Sequence, residues 1–331
     1  MYWFPSSNPL FSEPQLIARE RDVRRPLPSA LQARGLRAGA RIGIAAPAGV
    51  VDPVCLEAGE QALRGMGFEP VRRSDLTEGA GYLAGEDARR AEELSELVAA
   101  PDIDGIICAR GGYGSSRLLE SLDAKAFRRA RKPLVGYSDI TSLLLWQWQS
   151  AGLMGIHGPM LEREGGLPEE MAESLRCALL GELGGATLVG RPGVSGRAEG
   201  RLLGGSLTLV TASLGTAWEV DTRASILLLE EVGEQPYRID RMLEQLRAAG
   251  KLDALAGVGI GSLEGCLDER YPERSAETVL REFLDPLGIP VVFGLPFGHG
   301  AQNLSWSFGG RAVLDGDRGE LKMVESAVTT R

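Results

Sequence analysis

Residues 132–145 read KPLVGYSDITSLLL, an apolar strand pattern that passes through Gly136, Tyr137 and Ser138 directly into a helix pattern. Comparable apolar runs flank this stretch: ARIGIAAPAG (40–49), DGIICA (104–109) and LMGIHGPM (153–160). Helix patterns lie between the runs, over 54–66, over 87–99 and from about residue 115. Because strand and helix alternate, the sequence predicts a parallel sheet with helices on both of its faces.

A second unit follows a stretch of different composition. Residues 162–200 are rich in Gly, Pro and charged side chains around one short helix pattern at 169–180. Beyond them we expect helices near 205–214, 236–250 and 275–285, strands at 225–233, 257–265 and 289–294, and a terminal hairpin at 312–324. The predicted organisation is therefore a loose extension (1–38), an N-terminal parallel-sheet α/β domain (39–162), a linker (163–195) and a C-terminal mixed α/β domain (196–331).

Composition limits the partners and the compartment. The 331 residues carry a net charge of -9, which argues against nucleic acid as a partner. No apolar run approaches the length of about 18 residues that crosses a membrane, and the N-terminus lacks the pattern of a secretory signal. The four cysteines form no CxxC pair, so we expect buried thiols rather than disulfides or a zinc site. We expect a cytoplasmic protein.

Histidine is the scarcest catalytic residue type, since only His157 and His299 occur. A hydrolase that needs an imidazole base must use one of them. His299 lies in PFGHGAQN, where flanking glycines let a loop present the ring. His157 lies in GIHGPM at a strand end, and a structural histidine bonded to backbone is the better interpretation there. Two histidines without a carboxylate cluster predict no metal site.

Ser138 is a candidate nucleophile, because a sharp strand-to-helix turn exposes a hydroxyl beside backbone amides at a helix start. The G-x-S-x-G pattern of hydrolases is not met, since position 140 is Ile. Taken alone, the motif fits an N-cap serine slightly better. Ser115 and Ser116 begin another predicted helix and are rival candidates with the same alternative role.

Glu230 is a candidate orienting acid, because it ends the apolar run ILLLEEVGE at the carboxyl end of a buried strand. The competing carboxylates, for which surface charge or helix capping is the alternative role, are Glu231, Glu234, Asp139 and Asp240. The glycine-rich loop 110–114, RGGYG, permits close approach of a ligand to backbone but lacks the lysine and spacing of a phosphate-binding P-loop. It fits an oxyanion donor as easily as a phosphate site.

Eight segments, taken together and in order, resemble the LD-carboxypeptidase (muramoyl-tetrapeptide carboxypeptidase) family. They are IAAPAGVVDP, GYLAGEDARRAEEL, IDGIICARGGYGSSRLL, KPLVGYSDIT, GIHGPM, EGRLLGGSLTLV, LLLEEVGEQPYRIDRML and FGLPFGHGAQN. One such motif would be a weak signal, but eight in register are specific. They span about residues 42–310, so the N-terminal extension and most of the linker fall outside the resemblance.

The resemblance implies roles for particular residues. Ser138 of the G-[YF]-S-D motif would be the nucleophile, Glu230 the acid, and His299 of G-H-G the base. The amides of Asp139 and Gly112 would form the oxyanion hole, at an active site between the two domains. Residues of the glycine-rich loop (Arg110, Gly111 and Tyr113) are candidates for substrate binding. No cofactor is implied, and a homodimer is expected.

The family resemblance also implies a substrate, the murein tetrapeptide, from which terminal D-alanine is released. Microcin C immunity peptidases share the motifs and cleave aminoacyl-nucleotide amides. An aromatic side chain that stacks on the nucleotide base of the substrate would favour this alternative. Residues 162–195 contain no Trp, Tyr or Phe, which favours the peptidoglycan substrate, although Trp146, Trp148 and Trp218 lie elsewhere in the chain. A non-catalytic protein that binds a small ligand at the RGGYG loop is a more distant alternative.

Overall fold

The computed structural model of the protein describes residues 30–330, which form two β-sheets with flanking helices. The first sheet has the strand order β12-β5-β4-β3-β1-β2 and is parallel except for β12. Its strands are β1 (Arg41–Ala45), β2 (Glu69–Val71), β3 (Gly105–Cys108), β4 (Leu134–Gly136), β5 (Gly155–His157) and β12 (Trp306–Phe308). Every residue of β3, β4 and β5 is buried, as expected for a parallel sheet covered on both faces.

The second sheet is mixed and has the order β6-β14-β13-β8-β9-β10-β11-β7. Its central strands, β8 to β11, run parallel, while the outer strands pair antiparallel. They are β6 (Thr187–Val189), β7 (Arg191–Pro192), β8 (Arg197–Ser206), β9 (Ser225–Val232), β10 (Gly257–Glu264), β11 (Val291–Phe293), β13 (Arg311–Asp315) and β14 (Glu320–Met323). The predictions of a parallel first sheet, a mixed second sheet and a terminal hairpin are confirmed.

Most of the helices lie in the connections between parallel strands. They are α1 (Pro53–Gly65), α2 (Asp87–Ala99), α3 (Ala124–Ala130), α4 (Thr141–Trp146), α5 (Glu169–Leu180), α6 (Leu207–Ala212), α7 (Pro236–Ala248) and α8 (Ala276–Leu284). Helix α1 begins as its sequence predicts, since the side chain of Asp52 accepts hydrogen bonds from the amides of Val54 and Cys55, and Pro53 occupies the first turn. Among the described residues, no helix is long and apolar enough to span a membrane.

The chain returns from the second sheet to the first through β12, and this crossing links the two halves of the molecule. Strand β11 ends at Phe293 in the second sheet, and Trp306 then begins β12, which pairs antiparallel with β5 in the first. The chain next re-enters the second sheet at β13. The loop between β11 and β12, which contains His299, is therefore held at both ends by different sheets.

Two segments that were predicted to be irregular are part of the folded structure. Residues 30–38 are not loose: Leu31 forms a bridge with Leu153, Ala33 forms one with Val328, and Ala33 is fully buried. Residues 1–29 lie outside the described part of the chain. The stretch 163–195 contains the predicted helix as α5, but it also supplies β6 and β7 to the second sheet.

Several predicted helices differ in form from the observed ones. The helix expected at 205–214 is shorter, because β8 continues to Ser206 before α6 begins. The helices expected at Ser115 and Ser138 begin instead as 3-10 turns, Ser115–Ser121 and Ser138–Ile140. Of the four free cysteines, Cys108 and Cys266 are buried as predicted, whereas Cys55 and Cys177 are half-buried.

Candidate active site

Ser138 occupies a strained turn at the carboxyl end of β4. Its φ is 60°, in the left-handed region that costs a residue with a Cβ roughly 1–2 kcal/mol. The strand stops at Gly136 and the 3-10 turn starts at Ser138, so the direction of the chain changes within two residues. A strained strand-to-helix turn of this kind holds a serine hydroxyl out from the sheet edge.

The glycine-rich loop lies directly against this serine. A Cβ on Gly111 would come within 3.0 Å of the Cβ of Ser138 and 3.1 Å of its Oγ, so glycine permits the close approach. The end of the loop is tied to the same turn, because the carboxylate of Asp139 accepts a 2.8 Å hydrogen bond from the amide of Ser115. The hydroxyl of Ser115 donates in turn to the carbonyl oxygen of Asp139, at 2.7 Å.

These bonds separate the rival serines. Ser115 is fully buried and its hydroxyl is used in holding the two turns together. Ser138 is partly exposed, and its Oγ lies 3.0 Å from Nε2 of His299. The structure therefore brings Ser138, rather than Ser115, within hydrogen-bond distance of an imidazole.

Glu230 lies on the far side of the same imidazole. Its Oε2 is 2.8 Å from Nδ1 of His299, and its side chain is fully buried at the end of β9, whereas one-fifth of the histidine side chain is exposed. The order Ser138–His299–Glu230 is that of a hydroxyl nucleophile, a base and an orienting carboxylate. Residues from the first sheet, from the connecting loop and from the second sheet thus meet at one point.

Short contacts fix the loop that carries His299. Gly298 has a φ of 108°, and a Cβ there would lie 2.8 Å from Oε2 of Glu230 and 2.5 Å from Oγ of Ser262. Its amide donates to Oδ1 of the buried Asn303 at 3.0 Å, and the amide of Gly300 donates to Oγ of Ser262 at 3.0 Å. Ser262 and Asn303 were not singled out from the sequence. The position of Asn303 within the FGHGAQN motif was the available signal.

The competing carboxylates have other partners. Glu231 accepts from the amide and hydroxyl of Thr208, both at 2.8 Å, at the start of α6, and burial raises its pKa. Glu234 pairs with Arg238 at 3.2 Å, and Asp240 pairs with Arg274 at 3.3 Å. Helix capping and surface pairing therefore account for all three.

His157 has a different environment from that of His299. It is fully buried, stacks on Trp306 at 4.7 Å between ring centroids, and neither ring nitrogen has a hydrogen-bond partner among residues 30–330. Burial lowers its pKa to about 3, so the ring is neutral at physiological pH. The hydrogen bond to backbone that was expected for His157 is not formed among residues 30–330, and the ring packs against aromatic side chains instead. The ring of Tyr137, whose pKa is raised by burial, lies between the two histidines.

Both halves of the chain are similar to known proteins. Sequence models of the LD-carboxypeptidase N-terminal and C-terminal domains match residues 42–158 and 199–314. A putative carboxypeptidase of Synechocystis is 40% identical over 296 residues, which cover 89% of this chain and 97% of that protein. The murein tetrapeptide carboxypeptidase of Pseudomonas aeruginosa is 35% identical over 290 residues, which cover 84% and 94%. The chain belongs to the LD-carboxypeptidase family.

Membership makes the chain a serine-type carboxypeptidase, a hydrolase of peptide bonds. A solved structure of the microcin C7 self immunity protein MccF, in complex with glutamyl sulfamoyl guanosine, superimposes with a TM-score of 0.83. The two proteins are 26% identical, and the match covers 90% of this chain and 100% of that one. The predicted family and two-domain α/β fold are thus confirmed.

In this LD-carboxypeptidase, a buried arginine holds together three loops near Ser138. Arg90 is fully buried, and its guanidinium donates to the carbonyl oxygens of Pro47, Gly85 and Gly114, the last at 3.0 Å. Asp87 pairs with it at 2.5 Å. Because its bonds go to backbone in three separate segments, Arg90 fixes the end of the glycine-rich loop relative to its neighbours.

Beside these loops lies a cavity of about 440 Å³, lined by Gly49, Val50, Tyr82, Arg110, Gly112 and Tyr113. The side chains of Tyr82 and Tyr113 are exposed, with ring centroids 5.9 Å apart. Arg110 donates through Nη1 to the carbonyl oxygen of Val50 at 2.6 Å and pairs with Glu162 at 3.2 Å. The structure thus places the predicted substrate-binding loop residues Arg110 and Tyr113 at a cavity, while Gly111 faces Ser138.

Proposed function

We propose that this protein releases the terminal D-alanine from L,D-linked murein tetrapeptide through a Ser-His-Glu acyl-enzyme mechanism. The observation that carries the proposal is the pair of contacts of His299, 3.0 Å to Oγ of Ser138 and 2.8 Å to the carboxylate of Glu230. The name of the Pseudomonas relative, a murein tetrapeptide carboxypeptidase, supports the substrate.

In acylation, Nε2 of His299 takes the proton of the Ser138 hydroxyl as Oγ attacks the carbonyl carbon of the scissile amide. Glu230 accepts the hydrogen bond from Nδ1, which selects the reactive tautomer and stabilises the imidazolium that forms. Because Glu230 is fully buried, this carboxylate acts where water does not screen it. The imidazolium then gives its proton to the leaving nitrogen, and D-alanine departs.

The tetrahedral intermediate carries an oxyanion, which we assign to the amides of Asp139 and Gly112. Asp139 follows the strained serine at the start of its turn, and Gly112 follows the residue packed against Ser138. In deacylation, His299 takes a proton from water as the water attacks the ester, and Ser138 regains its proton when the peptide leaves. Loss of one oxyanion donor costs roughly 3–4 kcal/mol in such enzymes.

The experiment is mass spectrometry of purified murein tetrapeptide after incubation with the wild-type protein and with the Ser138→Ala variant. We expect the wild type to release D-alanine and Ser138→Ala to release it at least about 10⁴-fold more slowly. Equal release by both proteins would remove the mechanism. Ser116→Ala is a matched control at the rival turn and should retain activity.

A parallel incubation with an aminoacyl-sulfamoyl adenylate tests the substrate class. The structural similarity to MccF, solved with glutamyl sulfamoyl guanosine, makes this the relevant competitor. We expect the tetrapeptide to be the better substrate in kcat/KM. Preference for the adenylate would assign the protein to the immunity-type peptidases.

A cytoplasmic location and a homodimer remain expectations, which cell fractionation and light scattering would test.

A further inference from the structure

A carboxypeptidase must recognise the free carboxylate at the end of its substrate. In a peptide, the terminal carboxylate carbon lies only about 4 Å from the carbonyl carbon that is attacked, because three backbone bonds separate them. The group that binds it must therefore lie close to Ser138. An anion that leaves water needs a charged or multiply donating partner, for which arginine is well suited.

We propose that the cavity beside the glycine-rich loop is the subsite for the leaving residue, and that Arg110 binds its terminal carboxylate. This inference rests on the proposed function. Arg110 immediately precedes Gly111, the residue packed against Ser138, and Gly112 on the other side of Gly111 lines the same cavity. Gly111 therefore lies between the cavity and Ser138.

The guanidinium of Arg110 is fixed in place and still has donors to offer. Both of its contacts, to Val50 and to Glu162, use Nη1, and Nε and Nη2 have no hydrogen-bond partner among residues 30–330. Glu162 is itself held, since its other oxygen accepts from the amide of Asp52 at 3.0 Å. A side chain held at one nitrogen with two others unused is organised in advance for a planar carboxylate.

The tyrosines complete the subsite. Tyr82 and Tyr113 are 67% and 51% exposed, and their tilted rings form an apolar wall of the cavity. Such a wall suits the methyl group of a small terminal residue, while Arg110 faces its charge. The backbone segments that carry these residues are joined by Arg90, which donates to the carbonyl oxygens of Gly85 and Gly114.

Arg163 is the natural comparison, because it lies on the other flank of the triad. Its Nη2 contacts the carbonyl oxygen of Ala301, on the His299 loop, at 3.4 Å. It is not among the residues that line the cavity beside the glycine-rich loop. Arg163→Gln therefore removes one arginine near the site without altering the proposed subsite.

The test compares kcat/KM for murein tetrapeptide with a free terminal carboxylate and for the same peptide with a terminal carboxamide. We expect the wild type and Arg163→Gln to prefer the carboxylate by about 10- to 100-fold, the range of a hydrogen-bonded charge. Arg110→Gln should lose this preference through a higher KM for the carboxylate peptide, while its kcat/KM for the carboxamide peptide should fall much less. Arg110→Lys, which keeps the charge, should recover part of the preference.

The possible outcomes separate this inference from the proposed function. If Arg110→Gln retains the wild-type preference, or if Arg163→Gln loses it, the assignment of Arg110 is wrong while the peptidase function stands. If the wild type cleaves neither peptide, both proposals fail. Labelling of Ser138 by a serine-directed phosphonate in Arg110→Gln shows that the variant is folded. If Arg110→Gln is not labelled, the same comparison is made with Arg110→Lys. A wild-type preference with an unchanged KM for the carboxylate peptide in Arg110→Lys would contradict the inference. A raised KM for that peptide would support it.

Discussion

The two histidines occupy neighbouring regions of the molecule and have opposite environments. His157 is the last residue of β5, pairs with Trp306 of β12, and is fully buried among aromatic rings. His299 lies on the loop that leads into β12, is partly exposed, and contacts both Ser138 and Glu230. The same crossing strand thus packs one imidazole into the core and positions the other at the site.

Burial and partners, rather than residue type, separate a structural histidine from a candidate base. Burial without a charged partner lowers the pKa of His157 to about 3 and keeps its ring neutral. His299 instead lies 2.8 Å from a fully buried carboxylate and 3.0 Å from the hydroxyl of Ser138.

Replacing each histidine in turn should give the largest difference in activity. We expect His299→Ala to lower kcat/KM for tetrapeptide by at least about 10⁴-fold, because the base is lost. His157→Phe, which keeps an aromatic ring against Trp306, should stay within about threefold of the wild type, since His157 forms no hydrogen bond with Ser138 or Glu230. Steady-state kinetics measures both. Comparable losses of kcat/KM in the two variants would show that His157 and His299 do not differ in their roles.

A smaller loss should follow from crowding the catalytic loop. Gly298→Ala places a methyl group within 2.8 Å of Oε2 of Glu230, so the imidazole and carboxylate must separate. We expect kcat/KM to fall about 100-fold, the cost of a displacement of roughly 1 Å. Gly215→Ala is the matched control, because Gly215 also has a positive φ, 83°, but open space around its Cβ. Equal activity of the two variants would show that the close approach at Gly298 is unimportant.

The smallest effect concerns stability at acid pH. The folded-state pKa of His157 lies below its ordinary value near 6.5, so between pH 6.5 and 3 the unfolded chain binds a proton that the native protein does not. The free energy of unfolding therefore falls as pH drops. From pH 7 to pH 5, we expect the wild type to lose about 2 kcal/mol more than His157→Phe.

Urea unfolding at the two pH values measures this difference, and groups that titrate in both proteins cancel in the comparison. Parallel pH dependence in the wild type and His157→Phe would mean that the buried imidazole takes up a proton without cost to the fold.

Much of the architecture could be predicted from local pattern. Buried parallel strands such as β3 and β9 are continuous apolar runs, which single-sequence reasoning detects. Strand β12 could not be predicted, because three residues, Trp306–Phe308, gain strand structure only by pairing with a sheet formed far earlier in the chain. Strand β8 was not predicted either, since the first residues of the strand are polar and partly exposed.

The site shows the same limit. Local sequence described Ser138 as an N-cap or a nucleophile with similar weight, and it left five carboxylates as candidates for the acid. The residues in contact lie 161 positions apart for Ser138 and His299, and 69 apart for Glu230 and His299. Family resemblance chose among them. Contacts over such separations arise from how the two sheets are joined, which no local pattern encodes.

The central claim is that His299 activates Ser138 across the two halves of the chain. Its most direct test is the rate and position of labelling by a serine-directed phosphonate, followed by peptide mass mapping, in the wild type, His299→Ala and His157→Phe. We expect a label confined to Ser138, formed at similar rates in the wild type and His157→Phe, and slowed by at least about 10³-fold in His299→Ala. A label on Ser115 or Ser116, or wild-type rates in His299→Ala, would contradict it.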